Sequence, residues 1–169
     1  LSEGTRIFLV GPMGAGKSAV GRALARSLKL EFVDTDDEIE RRTGVDIPFI
    51  FEKEGEAGFR RREAAVVDEL STRPDLVLAT GGGVVGNPDN RRHLAARGTV
   101  IYLHATVAQQ LERTRRGRER PMLAQGDAGE TLDRLFAERD PLYREIADLV
   151  IETDGRRVHH VVDEIRRRL

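Results

Sequence analysis

The run Gly11-Pro12-Met13-Gly14-Ala15-Gly16-Lys17-Ser18 follows the apolar stretch 7–10 and precedes the helically spaced segment 18–28. In that setting the glycines let backbone N–H groups turn inward. The positive end of the following helix adds to them, which makes a cradle for the phosphates of a nucleotide. Lys17 is placed to reach the β- and γ-phosphates, and Ser18 to ligate Mg2+. Only three of the 28 basic residues are lysines (Lys17, Lys29 and Lys53), and one of them occupies this position.

A second group is Asp34-Thr35-Asp36, at the end of the apolar run Phe32-Val33. Alternation along a strand puts both carboxylates on one side of its end. One can hold water ligands of Mg2+ beside Ser18, and the other can accept a proton from a substrate hydroxyl, the two tasks that phosphoryl transfer requires. Asp36 also suits the N-cap of a helix beginning near Asp37 and ending at Gly44. A third group, Thr80-Gly81-Gly82-Gly83, again follows an apolar strand and strips side chains from a stretch of backbone that can lie against a small polar ligand. It reads equally as a turn. Arginines gather at Arg60-Arg61-Arg62, between Arg113 and Arg120, and at Arg139. Guanidinium forks bind carboxylate or phosphate at two points, yet in so arginine-rich a chain composition does not separate the functional ones from the solvated ones.

Positioning these groups requires strands that end together. Strands are expected at 6–10, 31–34, 76–80, 99–103 and 149–152, rich in Val, Ile and Leu and almost continuously apolar, as in a parallel sheet covered on both faces. Helical spacing marks 18–28, 58–70, 107–116, 130–138 and 157–169. The alternation implies a three-layer α/β domain with ligands at the carboxyl ends of the strands.

At 169 residues the chain suits a single domain. Its 28 basic and 29 acidic residues give a net charge of −1, which argues against nucleic-acid binding. Cysteine is absent, so disulfide and thiolate chemistry are excluded. The apolar runs fall short of the ~18 residues of a membrane span, and no secretory leader opens the chain. The expectation is a soluble cytoplasmic protein. No apolar surface stripe calls for a partner, so a monomer is expected.

Taken in order, GPMGAGKS at 11–18, DTD at 34–36, FRRRE at 59–63, TGGG at 80–83, RPML at 120–123 and RDPLY at 139–143 resemble the shikimate kinases across essentially the whole chain. The resemblance implies a P-loop kinase fold like that of the nucleoside-monophosphate kinases: one domain, 1–169, with a five-stranded parallel sheet, a substrate-binding segment at about 34–62 and a mobile lid at about 113–126. It implies transfer of the ATP γ-phosphoryl group to the 3-hydroxyl of shikimate, on the route to chorismate and the aromatic amino acids, with Mg2+. By position, Gly14, Ala15, Gly16, Lys17, Ser18 and Ala19 wrap the ATP phosphates, with Ser18 on Mg2+ and Asp34 in its outer shell. Asp36 binds shikimate and takes or orients its hydroxyl proton. Arg60 and Arg139 clamp the shikimate carboxylate, the Gly82 backbone holds the hydroxyl side, and Glu63 supports Arg60. Arg120 acts from the lid, and Arg113 and Arg156 match positions near the adenine. Two stretches depart from the pattern or match it weakly: Gly86-Asn87, where a basic residue near 86 is common in the family, and 124–129 in the lid. The alternatives are another small-molecule kinase, such as a gluconate-type enzyme, and a regulatory ATP-binding module.

Overall fold

In the computed structural model of the chain, which describes residues 3–114 and 127–169, β1 (Arg6–Val10) lies at the centre of the sheet and is buried on both faces. Alternation sorts its side chains. Ile7 and Leu9 pack into one apolar layer, and Phe8 and Val10 into the other. The described residues contain four more strands, β2 (Glu31–Asp34), β3 (Leu76–Ala79), β4 (Thr99–His104) and β5 (Leu149–Glu152), and all pair in parallel in the order β2-β3-β1-β4-β5.

Seven α-helices cover the sheet among the described residues. They are α1 (Lys17–Leu28), α2 (Thr35–Thr43), α3 (Ile47–Leu70), α4 (Pro88–Arg97), α5 (Val107–Thr114), α6 (Ala128–Ile146) and α7 (Val158–Arg168). Val20 and Leu24 of α1 recur one turn apart and join Val161, Val162 and Ile165 of α7 against Ile7, Leu9, Ile101 and Leu103. On the other face Phe59, Val66, Val67 and Leu70 of α3, Leu94 of α4 and Tyr143 of α6 meet Phe8, Leu78, Val100 and Tyr102. The expected three-layer α/β architecture is therefore the one observed.

Several boundaries differ from the sequence expectation. The helix expected from residue 58 belongs to a longer element beginning at Ile47, whose Asp46 side chain caps it by accepting the Phe49 amide. Gly55, at φ 71° and ψ 179°, breaks the helical path within it. That break interrupts the 3.6-residue period and hides the first part from a pattern search. α6 runs past the expected end at residue 138 to Ile146, carrying Pro141 inside it. α4 has no counterpart in the sequence reading, because its polar run buries only Asn90 and Leu94. No described helix is long and apolar enough to cross a membrane.

Register sets where the functional loops emerge. Leu9 and Asp34 both pair with Ala79, so β1, β2 and β3 end at one level. The Thr80 amide and hydroxyl both donate to the Leu9 carbonyl, at 3.1 and 2.8 Å, which ties the glycine triplet to the strand that feeds the first loop.

Because Leu24 is completely buried between α1 and the sheet, Leu24→Ala should destabilise the fold by about 2–5 kcal/mol in urea unfolding. A loss below about 1 kcal/mol would mean that α1 is not packed as described.

Candidate active site

Gly16 takes the left-handed conformation, φ 88° and ψ 24°, immediately before α1, and no side chain caps the helix there. The first-turn amides and the helix dipole are thereby presented to an anion. The Lys17 ammonium folds over the loop and donates to the carbonyls of Gly11 and Pro12 at 2.6 and 2.9 Å. Its charge therefore stands beside the amides that would receive a phosphate. Gly14, Gly16, Lys17, Ser18, Ala19, Asp34, Asp36, Gly82 and Arg113 line one cleft of about 370 Å³. Ala15 is buried behind it. Arg113 rests on the flank of the loop and donates to the Gly14 carbonyl at 2.8 Å and to that of Thr153 at 3.2 Å.

The carboxylates at the end of β2 divide their tasks differently from the simplest sequence reading. Asp34, not Asp36, caps α2: its Oδ1 accepts from the amides of Asp36 and Asp37 at 2.9 and 3.2 Å. Its Oδ2 accepts from the Ser18 hydroxyl. Capping by the first carboxylate turns the second toward the glycine triplet, where a β-carbon on Gly81 would lie 3.2 Å from Asp36 Oδ1. Ser18 and Asp34 together offer hard oxygen donors, of the kind Mg2+ accepts alongside phosphate oxygens and water.

The arginines sort themselves by position. Arg60 and Arg139 line a neighbouring cleft of about 530 Å³, and the glycine triplet stands between the two clefts. A β-carbon at Gly83 would collide with the Arg60 guanidinium, so the bare backbone is what lets Arg60 lie there. Arg60 Nη1 donates to Glu63 Oε1 at 3.0 Å, and Glu63 is 1% exposed. Burial raises the Glu63 pKa above its ordinary value even though the charges of Arg60 and Arg139 pull it down. Its other oxygen, Oε2, is buried without a hydrogen bond. Arg156 donates from its side chain to Glu164 at 2.6 Å and to the Glu152 carbonyl at 2.8 Å, which ties α7 to the end of β5, and its amide bonds the same Thr153 carbonyl as Arg113. Arg120 lies outside the described residues, as does most of the expected lid.

Two residues with positions at this site had no role in the sequence reading. Thr80 anchors the triplet, and Tyr143, in the RDPLY run, donates from its hydroxyl to the Gly82 carbonyl. A buried tyrosine needs a partner for its hydroxyl, but nothing in the sequence identifies a backbone carbonyl 61 residues away.

The Glu63 carboxyl supplies a pH test. Its pKa is higher folded than unfolded, so ionised Glu63 opposes folding. That penalty is absent below the unfolded value near 4.5 and grows as pH rises through the folded value. In urea unfolding from pH 4 to 8, the stability of Glu63→Gln relative to the parent should therefore increase with pH. A constant or falling difference would contradict the buried-carboxyl assignment.

A family model described as shikimate kinase matches residues 13–169. The shikimate kinase of Halorhodospira halophila is 60% identical over 161 residues, which is 95% of this chain and 91% of that protein. The shikimate kinase of Pseudomonas savastanoi pv. phaseolicola is 58% identical over 163 residues, 96% and 95% of the two chains. Among solved structures, a shikimate kinase from Acinetobacter baumannii in complex with shikimate superposes with a TM-score of 0.94 at 51% identity, covering 96% of this chain and 91% of that one. With that family's model covering nearly its whole length and relatives at this level of identity, the chain belongs to the shikimate kinase family.

Proposed function

We propose that this chain transfers the γ-phosphoryl group of ATP to the 3-hydroxyl of shikimate, giving shikimate 3-phosphate and ADP. One observation carries the residue-level reading. The Asp34 carboxylate, fixed between the Ser18 hydroxyl and the start of α2, puts Asp36 in the same cleft as Lys17. Family membership and a relative solved with shikimate support the choice of acceptor.

In this reading the amides of residues 14–19 and the Lys17 ammonium receive the β- and γ-phosphates, and Arg113 flanks the nucleotide. Arg156, whose amide shares the Thr153 carbonyl with Arg113, stands with it on the adenine side. Ser18 directly, and Asp34 through water, would hold Mg2+, which would supply neutralisation of phosphate charge. Arg60 and Arg139 anchor the substrate carboxylate by two-point hydrogen bonds, and the Gly82 backbone meets its hydroxyl side. Asp36 accepts the 3-hydroxyl proton as the oxygen bonds to the γ-phosphorus and the bond to the β–γ bridging oxygen breaks, leaving ADP. Arg120, on a lid at about 113–126, closes over the phosphates, keeps out water as a competing acceptor and offsets developing charge. Residues 34–62 form the substrate-binding segment of the one domain. The enzyme acts as a cytoplasmic monomer, on the route to chorismate.

ADP release from MgATP should depend on shikimate, and Asp36→Asn should lower turnover by about 10²- to 10⁴-fold. ADP release indifferent to shikimate would overturn the acceptor. Losing a charged clamp costs a few kcal/mol in both ground and transition states, so Arg60→Ala should raise the KM for shikimate about 10- to 100-fold with smaller change in kcat. An effect confined to the KM for ATP would contradict the clamp.

A further inference from the structure

Tyr143 is fully buried in α6, and the reaction as described makes no use of it. Its hydroxyl donates to the Gly82 carbonyl at 2.5 Å. Burial holds that hydroxyl protonated, and the Arg139 guanidinium lies close by, 3.5 Å from where a β-carbon on Gly82 would stand. The Tyr143 ring packs on that of Tyr102, with centroids 4.8 Å apart. Tyr102 is tied in turn, its hydroxyl donating to Asp140 at 2.6 Å while Arg144 binds the same carboxylate. The tyrosine is therefore immobilised at both ring and hydroxyl.

The backbone it grips cannot fix itself. Gly82 sits between two other glycines and has no side chain to restrict its dihedral angles. The peptide unit is planar and trans, so pinning the Gly82 carbonyl toward Tyr143 aims the following N–H, that of Gly83, in the opposite direction. One hydroxyl thus sets the orientation of the glycine-rich wall, against which the guanidinium of Arg139 lies.

We infer that Tyr143 is a positioning residue for the phosphoryl acceptor, holding the Gly82–Gly83 peptide in one fixed place beside the Arg139 guanidinium. The inference rests on the proposal that this site takes shikimate, and the parent enzyme is measured alongside the variants for that reason.

The test compares Tyr143→Phe with Tyr102→Phe, which removes a neighbouring hydroxyl from the same ring pair but one bonded to Asp140 instead. Kinetic constants for shikimate and MgATP are measured together with the thermal midpoint. Tyr143→Phe should raise the KM for shikimate about 5- to 30-fold, the cost of leaving a part-buried carbonyl without its donor. The KM for MgATP should stay within about twofold, and Tyr102→Phe should leave both constants within about twofold while lowering the midpoint comparably. An unchanged shikimate constant in Tyr143→Phe overturns the inference. So does a parallel rise in both constants, or an equal rise in the two variants, because either would mark a packing role only. If Tyr143→Phe does not fold while Tyr102→Phe does, the hydroxyl is structural and the inference falls. A parent enzyme without shikimate-dependent turnover overturns the substrate reading and the inference with it. Shikimate turnover by the parent with no selective effect at Tyr143 overturns the inference alone.

Discussion

The Asp34 carboxylate receives the Ser18 hydroxyl on one oxygen and the amides of Asp36 and Asp37 on the other. By those bonds the start of α1, the end of β2 and the start of α2 become one rigid junction. A charge-assisted bond to two amides is a strong local constraint, and it holds α2 in the one orientation that presents Asp36 to the phosphate-binding loop. The junction in turn depends on strand register: the loop after β1 and the end of β2 reach the cleft together because Leu9 and Asp34 both pair with Ala79. Donor and acceptor chemistry are thus brought to one place by ordinary sheet geometry, which is how open parallel sheets place ligands.

On the far side of the glycine triplet the physics is different. Arg60, Glu63, Arg139 and Tyr143 form a group in which charge is taken out of water. Glu63 carries the desolvation, held by one bond to Arg60. Such a group needs its partners in fixed positions, because a displaced guanidinium would leave a buried carboxylate uncompensated. The triplet gives the arginines room, and Tyr143 supplies the rigidity that glycine lacks. The wall between the two clefts is therefore built from a backbone without side chains, steadied from beneath by Thr80 and from α6 by Tyr143.

The strands were legible because their burial is uniform. Runs such as Ile7–Val10 and Leu76–Ala79 are apolar on both faces, and β1, β2 and β5 have the expected limits. The phosphate-binding loop and the DTD group were legible as well, since each couples a residue pattern to a strand end. What escaped had a physical reason in each case. The kink at Gly55 cut one helical period in two, Pro141 falls inside a helix that a proline normally ends, and the polar α4 contributes too little to the core to show a period. The cap that the sequence allowed at Asp36 is held by Asp34 instead, because sequence spacing alone does not say where the strand stops and the helix begins. Tyr143 and Thr80 act through backbone carbonyls of distant segments, which leave no mark in local pattern. Composition alone could not sort the arginines; the resemblance singles out Arg60 and Arg139, and the fold brings both to one cleft.

The central claim is that Asp36 and the phosphate-binding loop address one hydroxyl of one substrate. Phosphorus–proton coupling in the NMR spectrum of the product formed from MgATP and shikimate tests it most directly. Phosphate on the 3-oxygen alone, with one ADP formed for each ester, is the expected result. Inorganic phosphate without ester, or an ester at another hydroxyl, would contradict it.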